Sequence, residues 1–413
     1  MPVRFPLLAL IISFWISFVL AQESQHLMNL SHINQNFAFE LLRDMNVEGH
    51  ENMLFSPYSI SLAFAMSYAG AAAETAQEME EVFGFYPEVA RDFRLLGDSL
   101  NQPLEVSALY SANALWLQKD FKVQEAFLNT LLDQYQSELF EADFKTQAEV
   151  ERGRIHAWVG EKTHEHITEI LPEGVLDEYS RLVLTNALYI SSPWQRPFNE
   201  QQSAEGMFTG LDGQDYPVRM MRQSGRFNYA KMAFERGSYE VLELPYGDDS
   251  LSFLGILPQT ATFEATLAQL SPEALARALN MMAPSPIILS LPKFKLAQSL
   301  DLKALRRLGL KLAFEEFTPA ELCDKGIEPS QAAADFSKID ASRCLYISAA
   351  LHQATLSVDE KGSEATAASA VVIALSRSAL LPSIELSFNR PFIFAIYHKP
   401  SQSILFLGQY LKP

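Results

Sequence analysis

Arg377 is the only cation between Lys361 and Arg390, and the small residues Ser378 and Ala379 follow it. A long cation with small side chains after it suits a proteolytic pocket lined by a carboxylate. The chemistry suggested here is that of a bond to be cut, with the catalytic groups belonging to another molecule. The residues ahead of it, EKGSEATAASAVVIALSRS from Glu360 to Ser378, carry no charge between Glu364 and Arg377, and no proline follows Gly362 before Pro382. Every second residue, Ser363, Ala365, Ala367, Ser369, Val371, Ile373 and Leu375, gives one face of a strand without a charge. Such a face can be buried in a sheet at no ionic cost. A linker would be Gly/Ser-rich and an ordinary loop would be punctuated by turn residues. The segment reads as a loop written to become a strand.

The other residue types that could do chemistry lead nowhere comparable. His156, His164 and His166 lie close in sequence, but only His164 and His166 are near neighbours, and an i,i+2 spacing points them to different sides of a helix. They read as a solvated helix end, and no metal or cofactor is expected. The chain has no G-x-S-x-G elbow, no H-E-x-x-H and no P-loop. A hydrolase would need a serine, a histidine and a carboxylate gathered from distant segments, so the expectation is a protein that is not an enzyme.

Several elements must hold the 360–378 segment in place. Asn29 to Asn46 has apolar residues at broadly helical spacing. Ser56-Pro57 starts a second helix, with Ser56 capping its N–H groups and Pro57 in the first turn. That helix is apolar nearly all round from Ile60 to Ala69, hence buried, and Gly70 ends it before Ala73 begins another. Ala112 to Leu117 reads as a strand, with a helix starting near Phe121. Between Ala142 and Gly174 lies an amphipathic helix with Val150, Ile155, Trp158 and Val159 on one face. Leu182 to Ile190 is an apolar run broken only by Thr185-Asn186, which predicts a strand covered on both faces. A buried Asn186 without hydrogen bonds would cost ~1–3 kcal/mol, so it marks a polar cluster in the core. Tyr239 to Leu257 is a hairpin about Gly247-Asp248-Asp249, Ile287 to Lys295 a strand, and Leu302 to Leu310 an amphipathic helix. Ala354, Leu356 and Val358 alternate with Thr355, Ser357 and Asp359 in a strand that feeds directly into Glu360. Ile384, Leu386 and Phe388 alternate again, and a last hairpin spans Pro391 to Gly408.

The stretch EKGSEATAASAVVIA resembles the hinge and proximal reactive-centre loop of inhibitory serpins, with Gly362 at the hinge and Ser363 at the first inward position. NMLFSPYSISLAFAMSYAGAAAETAQEM resembles the segment running under that family's main sheet, and the likeness extends from Asn29 to Pro413. It implies an α+β serpin fold: a large central sheet A, smaller sheets B and C, about eight or nine helices and an exposed reactive-centre loop. The implied hinge is Glu360, Gly362, Ser363, Glu364, Ala365, Thr366, Ala367 and Ala368. The resemblance also places Ser56, Ser59, Asn186 and His352 together where the sheet must part. It puts Trp194, with Pro197-Phe198, at a turn at the top of the sheet, and sets Lys293 opposite Glu360. It implies a serine protease as covalent partner, which cuts the loop and is trapped when the hinge inserts as a new strand. A non-inhibitory relative would show proline or an inward charge in the hinge, and neither is present. Counting from the hinge places the cut after Ser376. Side-chain chemistry prefers Arg377-Ser378, and Leu375 would serve a chymotrypsin-like or elastase-like target. Phe314 to Ala333 departs from the family with extra residues.

A chain of 413 residues, close to half apolar, can bury a large core. Its net charge of −18 argues against nucleic acid, heparin-like polyanions and acidic membranes as partners; a monomer is expected. Residues 1–21 read as a signal peptide: Arg4, an apolar run from Leu7 to Leu20 interrupted by Ser13 and Ser17, and a cleavage site after Ala21. The rival is an uncleaved anchor, for which the run is short. Residues 22–413 then form one domain, with hinge and loop at 360–383, and the protein is expected to be secreted and extracellular. Asn29-Leu30-Ser31 is a glycosylation sequon, usable in a eukaryotic secretory path. Cys323 and Cys344 could pair, closing a loop of about 20 residues worth ~3 kcal/mol, or remain free thiols.

Overall fold

The computed structural model describes residues 5–48, 51–102, 104–315, 333–363 and 383–413. The first half of the chain is mostly helical. Helix α1 (Phe5–Glu48) leads into β1 (Met53–Phe55), α2 (Pro57–Gly70), α3 (Ala73–Phe83) and α4 (Val89–Leu100). There follow β2 (Ala108–Gln118), α5 (Glu125–Thr130), β3 (Glu138–Ala142), α6 (Phe144–Lys162) and β4 (Leu182–Pro193). The second half is mostly strand: β5 (Ala204–Thr209), β6 (Asp215–Phe234), β7 (Gly237–Pro245), β8 (Leu251–Pro258), then α7 (Phe263–Gln269) and α8 (Pro272–Met281). Next come β9 (Ala283–Pro292), β10 (Phe294–Asp301), β11 (Ile347–Val358) and β12 (Gly362–Ser363). After the 364–382 segment, β13 (Ile384–Ser387), β14 (Phe392–His398) and β15 (Ser403–Tyr410) complete the chain.

The strands form two sheets. One is six-stranded in the order β10-β11-β12-β4-β2-β3; the other is nine-stranded, β1-β15-β14-β8-β7-β6-β9-β13, with β5 paired to β6. The two smaller sheets implied by the family resemblance are continuous here. The 20-residue strand β6 pairs with β5 at one end, β9 along its middle and β7 at the other end.

Helix α2 starts as its first residues predict. The Ser56 side chain accepts from the Ser59 N–H, and Pro57 occupies the first turn, where it forfeits no hydrogen bond. Its burial on every side follows from its place between the sheets, touching β15 of one and β4 and β2 of the other. Strand β4 is covered on both faces. Leu182, Leu184, Leu188 and Ile190 belong to the main core, whereas Val183, Ala187 and Tyr189 pack with Ile155, Val159 and the 167–176 segment on the far side.

Three expectations need correction. Val150 does not share the buried face of α6 and is 64% exposed. Nine residues at 100° each set it opposite the buried Val159. Residues Leu302–Leu308 form 3-10 turns instead of an α-helix, ending at Gly309, whose φ of 117° terminates the coil. His164 and His166 are not a solvated end. His166 stacks on Tyr189 at 3.8 Å, and His164 lies 4.3 Å from the Tyr110 ring, so aromatic burial on the sheet face takes precedence over hydration.

Cys344 is disulfide-bonded. Cys323, the only other cysteine in the chain, lies outside the described residues, as do residues 316–332 of the insertion. Among the described residues, no helix is long and apolar enough to cross a membrane.

Candidate functional site

The site is a seam between β4 and β11. The two strands pair directly and in parallel, Ile347–Thr355 against Leu182–Tyr189, in register His352↔Asn186. On the other side of β4, Asn186 lies opposite Asn113 of β2 in an antiparallel pair. Three polar side chains therefore stand abreast on neighbouring strands, above the N-terminus of α2.

Their hydrogen bonds form a closed network. The Ser56 backbone N–H donates to His352 Nε2 at 2.9 Å, which leaves Nδ1 to donate to Asn186 Oδ1. The Asn186 amide donates to the Ser59 carbonyl at 2.5 Å, to Ser59 Oγ at 2.6 Å and to Asn113 Oδ1. Ser59 Oγ also donates to Asn113 Oδ1 at 3.1 Å. Ser56, Ser59, Asn186 and His352 are fully buried. Burial pushes the His352 imidazole down to about 3, so it is neutral and fixed in one tautomer by the acceptor beside it. Asn113 was not singled out from the sequence. An asparagine inside the apolar run ANALWL was the available signal, but its role depends on a strand pairing that the sequence does not display.

At the upper end the chain turns back into the seam. Asp359 Oδ1 accepts from the N–H groups of Lys361 at 2.8 Å and Gly362 at 3.2 Å, and the Asp359 N–H donates to the Gly362 carbonyl at 2.9 Å. The chain thus reverses out of β11, and β12 enters between β11 and β4: Ser363 pairs with Val358 on one side and Ser192 on the other. Gly362 is required by close approach, because a Cβ there would stand 2.2 Å from the Ser192 carbonyl oxygen. Ser363 is fully buried, with Oγ 2.5 Å from the Tyr246 hydroxyl. Tyr246, also missed in the sequence, stacks on Trp194 at 4.6 Å. Trp194 holds the turn by two bonds, Nε1–H to the Asp359 carbonyl at 2.8 Å and its backbone N–H to the Lys361 carbonyl at 2.9 Å.

Lys293 Nζ meets Glu360 Oε2 at 3.0 Å and Asp359 at 4.0 Å. Burial alone would raise the Glu360 carboxyl, but hydrogen bonds to its backbone and to Lys293 outweigh it and leave it below the ordinary carboxylate range. Of the sequence-derived positions, Glu360, Gly362, Ser363, Trp194 and Lys293 thus meet at the top of the seam, and Ser56, Ser59, Asn186 and His352 at its middle. Glu364, Ala365, Thr366, Ala367, Ala368, Leu375, Ser376, Arg377 and Ser378 lie outside the described residues. The Asn29 side chain is exposed on α1 rather than in a loop, bonded to Gln25 at 2.9 Å. Among the described residues no group of side chains is arranged to hold a metal.

A protein-family model described as Serpin (serine protease inhibitor) matches residues 32–413. Leukocyte elastase inhibitor of Xenopus tropicalis is 34% identical over 397 residues, covering 93% of this chain and 100% of the relative. Plasminogen activator inhibitor 1 of Bos taurus is 32% identical over 371 residues, covering 88% and 87%. Native protease nexin-1, solved with heparin, aligns with a TM-score of 0.81 at 26% identity over 94% of this chain and 100% of that one. Uncleaved ovalbumin, with a TM-score of 0.79 at 24% identity and the same full coverage of that chain, shares the fold.

Two measurements check the polar row. Asn186→Ala strands the His352 Nδ1–H and the Ser59 carbonyl without partners, so denaturant unfolding is expected to show a loss of ~1–3 kcal/mol. The depressed His352 value sets a pH window. In the unfolded chain the ring binds a proton below about pH 6.5, whereas in the folded chain it resists until about 3. The unfolded state therefore holds the extra proton between these values, and stability falls as pH is lowered through that window. Thermal unfolding from pH 7 to pH 4 is expected to show this fall, and His352→Gln is expected to flatten it.

Proposed function

The chain belongs to the serpin family, and on that premise we propose that it is a secreted suicide-substrate inhibitor of a trypsin-like serine protease. The observation that carries this reading is the seating of Gly362 and Ser363 between β11 and β4, above a stretch where those strands pair only with each other. A strand has begun in the seam, and the sequence behind it is uncharged and small up to Ala370.

In this mechanism the protease's serine attacks the carbonyl of Arg377, and the bond to Ser378 breaks to leave an acyl-enzyme. Release of Ser378 frees the upstream segment, which continues the strand begun by Ser363 and carries the protease with it before water completes hydrolysis. Burial of Val371, Ile373 and Leu375 contributes ~1.5–3 kcal/mol each, added to a new ladder of backbone bonds. Small residues ahead of them keep steric resistance low at the start. Arg377 is assigned from its charge and its isolation in the sequence. The protein is no catalyst; the chemistry is the partner's, and a covalent complex with a monomeric inhibitor is the product.

The relatives' names point to different targets, an elastase for one and a plasminogen activator for another, so the target class rests on Arg377. An elastase-like target would use Leu375 or Ser376 instead. The heparin in the nexin structure is that protein's, and the net charge of −18 here opposes polyanion binding. Secretion follows from residues 1–21, with cleavage after Ala21.

Incubation with trypsin-like and elastase-like proteases tests the reading by SDS-stable complex formation. The peptide released by a trypsin-like enzyme is expected to begin at Ser378, and Arg377→Ala is expected to abolish that complex. A peptide beginning at Arg377 would assign the cut to Ser376 and change the target class. Ser363→Arg forces a charge against Tyr246 inside the sheet, so the loop is expected to be cut with no stable complex. Undiminished complex formation by this variant would refute insertion, and cleavage of the unaltered chain without complex would show a non-inhibitory member.

A further inference from the structure

Beside the polar row lies a cavity of about 210 Å³, enclosed by α2, α4, β2, the 134–138 segment and α6. A cavity of ~150 Å³ accommodates a benzene ring, so this one has room for a ring with a short polar substituent. Its walls hold donors that the fold does not use. Tyr58 is 6% exposed and its hydroxyl makes no hydrogen bond among the described residues. Trp158 Nε1, also on the wall, is buried without a partner. A buried donor left unpaired is costly, which singles out both groups as candidates for an acceptor that arrives from outside.

The charges favour an anion. Lys162 reaches the cavity and is held only by Glu138 at 3.5 Å, in a pair with both side chains more than one-third exposed. Such a pair is worth little and is readily exchanged. Arg94 is committed to Asp98 at 3.0 Å and to the Asp133 carbonyl, so it adds positive field rather than a free bond. Leu62 and Phe93 supply the apolar wall.

We propose that this cavity binds a small organic carboxylate carrying an apolar ring, and that its occupancy holds the β4–β11 seam closed. The second part rests on the insertion mechanism proposed above. Asn113 lines the cavity and is the end of the row that runs through Asn186 to His352. Tyr58 belongs to α2 on one side of the six-stranded sheet, and Trp158 and Lys162 to α6, which packs on the other. A carboxylate bonded to both sides ties the two helices around β2. Parting the seam must move β4 relative to α2, because Asn186 is bonded to Ser59 and His352 to Ser56. The tie resists that movement.

Calorimetric titration of the mature chain with phenylacetate tests the site directly, and saturable one-to-one binding is expected. Tyr58→Phe and Lys162→Met should each weaken it about tenfold, the loss of one charge-assisted bond, and Glu138→Gln should strengthen it by removing the competing carboxylate. Gly97→Leu should abolish binding, since Gly97 lines the cavity and a Cβ there meets nothing within 4 Å, so the larger side chain fills space without strain. Absence of saturable binding, or binding unaffected by Gly97→Leu, overturns the site. With a protease that forms complexes, saturating phenylacetate should raise the fraction of chain cut without being trapped; an unchanged fraction overturns the coupling to the seam. If no protease forms a complex at all, the titration still decides the site, and it is the inhibitory reading that fails.

Discussion

The hydrogen bond from His352 to Asn186 spans the one strand pair on which the rest of the structure depends. Apolar packing covers both faces of β4 but is non-directional, and it would tolerate a neighbour at a slightly different height. The polar row is not tolerant. Each of its members is buried, and each donor meets an acceptor only in the register His352↔Asn186↔Asn113. Parting β11 from β4 strands a neutral imidazole N–H and a carboxamide oxygen in an apolar layer, which makes the closed seam a state with a barrier around it.

The seam is not equally resistant along its length. At the top, Ser363 already separates the strands, held by a hydroxyl contact to Tyr246 and by the stacked Trp194. The charged contact there, Lys293 to Glu360, has a lysine that is 47% exposed, and water can replace it at small cost. In the middle the contacts are neutral, dry and mutually satisfied. A strand arriving from above therefore begins where resistance is lowest and meets the greatest resistance after its first residues are seated. Gly362 and Ser363 suit that first step because the backbone of β4 leaves no room for a Cβ at one position and only a small polar group fits the other.

Much of this was legible in the sequence wherever a local rule applied. Ser56-Pro57 announced the start of α2, the alternation at Ala354 to Val358 gave the buried face of β11, and the single polar break in Leu182–Ile190 marked the buried cluster. The failures have a common cause. Asn113 and Tyr246 reach the site through strand neighbours distant in the chain, and their own segments carry no mark of it. The stacking of His166 on Tyr189 likewise depends on how the segment after α6 falls across β4, while local spacing suggested only a helix end. Val150 is a different error, since counting 100° per residue would have placed it opposite Val159. The hinge was readable from composition because insertion constrains side-chain size and charge directly, whereas the scissile bond depends on a partner that the sequence does not contain.

The central claim is that the segment after Ser363 completes the strand begun between β11 and β4. Thermal unfolding of the chain before and after a single cut within residues 364–382 tests it most directly. If the freed segment inserts, it adds a full set of ladder bonds and buries its apolar residues, and the cut chain unfolds at a clearly higher temperature than the intact one. A cut chain whose unfolding temperature is unchanged or lower would contradict the account.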